Sequence, residues 1–349
     1  VSADFRKHAV SYLMAGGFES HARERFEVYG YDIGPAPDSP TRSRVMAAFD
    51  QFKIVSDLSD KGIAEQIRQD QIDILIDLTG YTKGARTGIF AYKPATIQIN
   101  YLGFPGTMGA PFMDYIIADR VLIPEESRQY YTEQVLYLPH CFQANDDKRV
   151  IAPPKPKSHF GLPEDSFVFG CFNQSAKFTP TLFEVWLSIL TQVPNSVLWL
   201  IEDNPTQVKN LRTYTQERGI DPNRLIFTGK LPYPEHLARY AHIDLVLDTL
   251  PFNGGTTTSD ALWGGAPVLT CIGQTFAGRM SASLLTAIGL PELITHTLED
   301  YERLAISLAT YQEQLTDLRQ RLGKNRTESP VFDTQAFTRN LDEQFAALS

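Results

Sequence analysis

A chain of 349 residues is longer than one ordinary domain and comfortable for two. With 43% hydrophobic and 21% charged residues it has a globular composition, and a net charge of -9 argues against non-specific nucleic-acid binding, which needs clustered Lys and Arg. The polar opening VSADFRKHAV leads us to expect no signal peptide, no apolar run reaches the roughly 20 residues that a membrane span needs, and Cys141, Cys171 and Cys271 lack metal-ligand spacing; the expectation is a cytoplasmic protein with no metal and no membrane contact.

The opening VSADFRKHAV lacks Met and begins as if within an element, so the chain reads as part of a longer one. Asp4, Lys7 and His8 precede the apolar Val10, Tyr12, Leu13 and Met14. A histidine near an aspartate suits a general base with an orienting carboxylate, and equally a helix cap. Residues 60–69 have helical character, and QIDILIDLTG after them is a near-continuous apolar run, as in a strand covered on both faces. Further strands are expected at 97–102 and 115–119. The loops GYTKGAR (80–86) and LGFPGTMGAPFMD (102–114) follow strands and are rich in glycine, as suits an acceptor or sugar pocket. The polar, proline-rich stretch 143–166 reads as a linker, which places a first domain at 1–150.

The second half alternates strand and helix: FVFGCF, a helix over 179–193, SVLWLI, a polar helix near 205–218, RLIFTG, a helix from about Pro234, IDLVLD, then APVLTC and a helix near 278–288. Repeated β–α units of this kind make a doubly wound parallel sheet, here a second domain over 151–325. Leu304, Leu308, Tyr311, Leu315, Leu318 and Leu322 mark a one-sided amphipathic helix. A last helix after Pro330, within a segment 326–349 that packs back, turns Phe337, Leu341 and Phe345 inward.

Two α/β domains place the C-terminal ends of both sheets around one crevice, where ligands bind. In NGGTTTSDALWGG, Gly254 and Gly255 allow close backbone approach, and Thr256, Thr257 and Thr258 supply hydroxyls and N–H groups at a helix start. Exposed N–H groups and the helix dipole suit a diphosphate, and Asp260 in the first turn suits two ribose hydroxyls. Lys177, in the loop FNQSAKFTP with Gln174, stands where a cation would neutralise a leaving diphosphate. His236 at a helix start suits stacking on a base.

Together, SADFRKH, DILIDLTGYTKGAR, PATIQINYLGFPGTMGAPFMDYIIAD, FNQSAKFTP, VPNSVLWL and NGGTTTSDALWGGAPVLT resemble the protein O-linked N-acetylglucosamine transferase family and the related SPINDLY-type O-fucosyltransferases. The likeness runs from about residue 1 to about residue 348 and is that of a compact bacterial-type member. It implies a GT-B fold of two Rossmann-like domains facing a cleft, upstream tetratricopeptide repeats, and a metal-independent, inverting enzyme moving GlcNAc from UDP-GlcNAc to protein Ser or Thr. The resemblance also implies that no cofactor is needed. By the same resemblance Lys177 contacts the donor diphosphate with Gln174 beside it, His236 packs on the nucleobase, Asp260 holds the ribose, and Thr256 and Thr257 bind phosphate. His8 and Asp4 match residues discussed as base and proton relay, Leu102 and Gly103 the loop around the sugar, and Lys83 and Arg86 basic residues near the cleft. The chain departs from the animal pattern at Ala9, Ala176, Gly255 and Tyr233, where that pattern has proline, tyrosine, histidine and lysine. Ala176 and the three threonines lean toward GDP-fucose, while Asn253, Asp260 and TKGAR lean toward UDP-GlcNAc. A binding module without turnover and a sugar-nucleotide epimerase are the other readings.

Overall fold

The computed structural model describes residues 1–35 and 37–348. The chain divides into two compact units, Val1–Lys148 together with the segment from Pro330, and Arg149–Ser329.

The first unit is built on short parallel strands. β1 (Tyr29–Asp32) pairs with β2 (Gln51–Ile54), and β3 (Ile74–Asp77), β4 (Ile97–Asn100), β5 (Tyr115–Ala118) and β6 (Gln134–Tyr137) pair in that order. The extended segment Val1–Ala3 runs between β1 and β3. Ser2 N donates to Tyr31 O at 3.1 Å and Ile33 N to Ser2 O at 3.0 Å on one side, and Leu78 N donates to Val1 O at 3.0 Å on the other. Helices α1 (Ala9–Ser20), α2 (Pro40–Ala47), α3 (Asp60–Gln69) and the single turn α4 (Gly88–Ala91) belong to this unit. α3 shows why such segments are helical: Ser59 caps it by accepting from Gly62 N, Asp60 and Arg68 match the dipole at its two ends, and Ile63, Ala64 and Ile67 are buried at helical spacing. A cavity of about 340 Å³ in this unit is walled by core side chains such as Phe5, Tyr31, Ile76 and Phe345, and none of the candidate site residues lines it.

In the second unit β7 (Phe167–Cys171), β8 (Ser196–Ile201), β9 (Leu225–Thr228), β10 (Leu245–Leu247), β11 (Val268–Cys271) and β12 (Ile294–Thr295) form one parallel sheet in the order β12-β11-β10-β7-β8-β9. β7, β8, β10 and β11 are buried at every residue, as their unbroken apolar runs require. The connecting and flanking helices are α5 (Pro180–Gln192), α6 (Pro205–Glu217), α7 (Tyr233–Ala238), α8 (Thr256–Trp263), α9 (Met280–Ala287), α10 (Leu298–Thr310) and α11 (Gln312–Glu328). The expected single helix through Leu304 and Leu322 is in fact two. Tyr311, with φ -105° and ψ 75°, breaks it, and its ring is exposed. The apolar stripe runs on across the break because Leu308 in α10 and Leu315, Leu318 and Leu322 in α11 are all buried, so the periodicity reports the inward face and not a continuous axis.

α12 (Thr334–Leu348) returns to the first unit. Its Phe337, Leu341 and Phe345 join Phe5, Met14 and Phe18 in the core. Asn145 Nδ2 donates to Val331 O at 3.0 Å and Thr334 Oγ1 to Asn145 O at 2.8 Å, and Asp342 meets His21 Nδ1 at 2.5 Å.

Candidate functional site

In the second sheet β7 and β10 are neighbours although β8 and β9 separate them in the chain, so strand order reverses there and the loops after the two strands part. β7 delivers Asn173 and β10 delivers Asp248, both buried. Asn173 Nδ2 donates to Asp248 Oδ1 at 3.2 Å and to Thr249 Oγ1 at 3.0 Å, and its Oδ1 receives the Thr257 hydroxyl. Asp248 also accepts from Gly254 N at 2.8 Å and Thr270 Oγ1 at 2.7 Å. Burial raises the Asp248 carboxyl above its ordinary range, and the surrounding hydrogen bonds oppose the rise. This node ties the loop 249–255 and the start of α8 to the strand ends.

Lys177 closes a 3-10 turn (Ser175–Lys177) directly after β7. Its Nζ donates to Asn253 O at 2.9 Å and lies 3.9 Å from the centre of the Phe252 ring. Burial lowers its pKa from the usual 10.5, against the pull of the Asp248 charge. An ammonium has three donors, and Asn253 O takes one. Two residues beyond Asn253, α8 starts at Gly255 without any side-chain cap, so its first N–H groups keep no side-chain partner. The three threonines there have divided. Thr257 is spent on Asn173 and Thr258 on Ser281 (2.7 Å), while the Thr256 hydroxyl has no hydrogen-bond partner among the described residues. A lysine cation bonded to Asn253 O and an uncapped helix start two residues further on form an arrangement suited to an anion.

Asp260, one turn further along α8, is only 3% exposed. Its Oδ1 accepts from Arg149 NH1 at 3.0 Å and from the Tyr233 hydroxyl at 2.7 Å, and its Oδ2 lies 3.6 Å from His236 Nε2. With Oδ1 taken by Arg149 and Tyr233, Oδ2 is the carboxylate oxygen left for a ligand. His236 sits among Phe172, Tyr233 and Tyr240, with ring centres 5.9, 6.3 and 5.3 Å away. Its Nδ1 meets Arg239 NH2 at 2.5 Å, and the Arg239 guanidinium lies 3.9 Å from the Phe172 ring centre. Burial holds the Arg239 pKa down to about 10. Gln174 is exposed, and its carbonyl accepts from Lys177 N at 3.0 Å to form the turn.

In the first unit Val1–Ala3 and β3 stand in the same relation, adjacent in space with β1 and β2 between them in the chain. Asp4 follows the first and Thr79–Gly80 the second. Asp4 is buried and its Oδ1 accepts from Arg6 NH2 at 2.7 Å. His8 caps α1: its Nδ1 accepts from Val10 N at 3.3 Å, with Asp4 Oδ2 3.7 Å away. Burial lowers the His8 pKa below the usual 6.5, Asp4 opposes this and Arg6 adds to it. A neutral ring whose Nδ1 accepts carries its proton on Nε2, so in this pose His8 presents a donor. Leu102 has φ +67°, and a Cβ on Gly103 would fall 2.0 Å from Leu78 O, so glycine alone lets this loop cross the end of β3. Buried Glu133 holds the same loop by accepting from Met108 N and Thr107 Oγ1, both at 2.5 Å. Lys83 is exposed. Arg86 is tied to Asp60 Oδ1 at 2.7 Å and to Leu58 O at 2.6 Å, so its fork is occupied within the unit.

The sequence reading named Lys177, Thr256, Thr257, Asp260 and His236 but not Asn173, Asp248, Arg149 or Arg239, the residues that hold them. A polar residue directly after an apolar run was the available signal for Asn173 and Asp248. Arg149 lay in the stretch read as linker.

The profile of glycosyl transferase family 41 matches residues 1–157 and 154–341. The chain belongs to this family. A probable UDP-N-acetylglucosamine–peptide N-acetylglucosaminyltransferase, SEC, of Arabidopsis thaliana is 42% identical over 352 residues, covering 99% of this chain and 36% of that protein. The UDP-N-acetylglucosamine–peptide N-acetylglucosaminyltransferase of Caenorhabditis elegans is 30% identical, covering 98% of this chain and 40% of that protein, over an alignment of 456 positions that includes a stretch absent here. This family 41 chain thus spans little more than a third of such relatives. Among solved structures, an O-GlcNAc transferase mutant of Thermobaculum terrenum superposes with a TM-score of 0.91 at 33% identity, over 99% of this chain and 66% of that one. Anabaena HepE in complex with UDP shares the fold, with a TM-score of 0.64 at 11% identity over 99% of this chain and 98% of that one. The two parallel-sheet units are those of the GT-B fold.

Proposed function

We propose that this family 41 chain is a glycosyltransferase catalytic region that moves GlcNAc from UDP-GlcNAc to Ser or Thr hydroxyls of proteins, with inversion and without a metal ion. The observation that carries the reading is the pairing of the Lys177 ammonium with the uncapped start of α8. A diphosphate leaving group develops negative charge as the sugar departs, and a desolvated cation plus fixed N–H dipoles stabilise that charge where it forms. The Thr256 hydroxyl adds a third donor, and Asp260 with His236 supplies the polar and aromatic groups for ribose and base. The first unit supplies the acceptor side with Asp4, His8 and the loop from Leu102. His8 in its capping pose donates from Nε2; serving as the base requires that Nδ1 give up Val10 N. The similar relatives support UDP-GlcNAc by name, since the plant SEC protein at 42% identity and the plant SPINDLY proteins at 31–32% are all called probable UDP-N-acetylglucosamine–peptide N-acetylglucosaminyltransferases. The protein acts where its acceptors are, in the cytoplasm, with tetratricopeptide repeats presenting them.

Calorimetric titration with UDP, UDP-GlcNAc, GDP and GDP-fucose in the presence of EDTA tests this. Metal-free binding confined to the UDP ligands is expected. Preference for GDP ligands would replace the donor by GDP-fucose, and strong binding without transfer to any polypeptide by the repeat-bearing protein would leave a binding module.

A further inference from the structure

We propose that Arg149 is a positioning residue of the donor site, which commits Oδ1 of Asp260 and leaves Oδ2, paired with His236, to a ribose hydroxyl. The inference rests on the donor-site reading above and extends it to a residue outside every motif. Arg149 is the first residue of the second unit, and its side chain is 2% exposed. NH1 donates both to Asp260 Oδ1 and, at 3.1 Å, to Ser259 Oγ. The guanidinium carbon lies 5.1 Å from the Trp263 ring centre, and Trp263 Nε1 donates back to the Arg149 carbonyl at 3.2 Å. Backbone and side chain of one residue are thus both fastened to α8.

The consequence is a choice between two carboxylate oxygens. A buried carboxylate without a cation is costly, so Arg149 makes the burial of Asp260 tolerable. It also fills Oδ1 together with the Tyr233 hydroxyl, which exhausts that oxygen's two lone pairs. On the other side, an arginine can only donate, so the contact of Arg239 NH2 with His236 Nδ1 leaves the neutral imidazole proton on Nε2. That N–H and Asp260 Oδ2 stand 3.6 Å apart, too far for a hydrogen bond with each other. A donor and an acceptor held at that spacing complement a hydroxyl, which accepts from one and donates to the other. The ligand class is a ribonucleotide, distinguished from its 2′-deoxy analogue at this point.

Calorimetry with UDP and 2′-deoxy-UDP on the wild type, Arg149→Met, Arg149→Lys, Asp260→Asn and the Arg149→Met/Asp260→Asn pair tests the assignment. The wild type is expected to prefer UDP about 10- to 100-fold, and Arg149→Met to lose most of that preference with native circular dichroism. Arg149→Lys, a point charge without the fork, falls between them. In the Asp260→Asn background the Arg149→Met change should have no further effect on the ratio; this charge-balanced pair also keeps the test open should Arg149→Met fold poorly. An unchanged ratio in folded Arg149→Met, or the same loss in both backgrounds, would overturn the positioning role. A wild type that binds no UDP at all would instead remove the donor-site reading, and this inference with it.

Discussion

The Lys177 ammonium is lowered below its usual pKa by burial while Asp248 pulls the other way, so its charge depends on the balance of two neighbours. In the proposed mechanism transfer needs the protonated form. Activity should therefore fall as pH rises through the Lys177 pKa, at a pH below 10.5, and a bound diphosphate should move that limb upward. Lys177→Ala should lower turnover by roughly 10²–10³-fold with little change in melting temperature, and should remove the basic limb of the profile. Near-normal turnover would take the lysine out of the mechanism. His8 sets a second question, because one side chain caps α1 and lies beside Asp4. His8→Asn keeps a good cap and removes the base; His8→Ala removes both. If His8 takes the acceptor proton, both variants lose at least about 100-fold and the acid limb, which lies below pH 6.5 for the free protein, disappears. If His8→Asn turns over normally and His8→Ala loses only about 1 kcal/mol of stability, the residue is a cap.

At the level of elements, α8 shows what was legible and what was not. Its start and its glycines follow from NGG, the threonine run and the apolar strand before them, since helix starts and strand periodicity are local. The fate of each hydroxyl is not local. Thr257 bonds to Asn173, 84 residues earlier, and Arg149 reaches Asp260 across 111, so the Thr257 hydroxyl donates to the scaffold and an arginine from the stretch read as linker touches a candidate site residue. β1 and β2 escaped notice for another reason: each has four residues, and β2 is only partly buried, so no alternation stands out. The tightness of the α8 entry is testable. A Cβ on Gly254 would fall 2.5 Å from Thr257 Oγ1 and 2.6 Å from Thr258 Oγ1, both held in hydrogen bonds. Gly254→Ala should cost about 1–3 kcal/mol of stability and weaken UDP binding at least 10-fold. Calorimetry showing wild-type affinity would mean that the loop relaxes without disturbing the anion site.

For the whole molecule the most consequential feature is that the chain ends inside the unit where it began. Phe337, Leu341 and Phe345 are buried in a core whose other members come from residues 5–144, and Asp342 is bonded to His21 and, at 3.0 Å, to Ala22 N. Deleting such side chains costs about 2–5 kcal/mol each, and three together reach the whole stability of a typical domain, about 5–15 kcal/mol. Truncation after Asp333 should therefore unfold the first unit, while the second, whose sheet is closed by its own helices, keeps its protection. Hydrogen exchange read by mass spectrometry distinguishes the two: fast exchange across β3–β6 with slow exchange across β7, β8 and β11 is expected. Leu341→Ala, a milder change of about 2–5 kcal/mol, should lower the melting temperature of the first unit alone. Uniform loss of protection in both units after truncation would show that they fold as one, and the proposed UDP binding would then be lost with α12 although none of its residues is among the candidate donor-site residues.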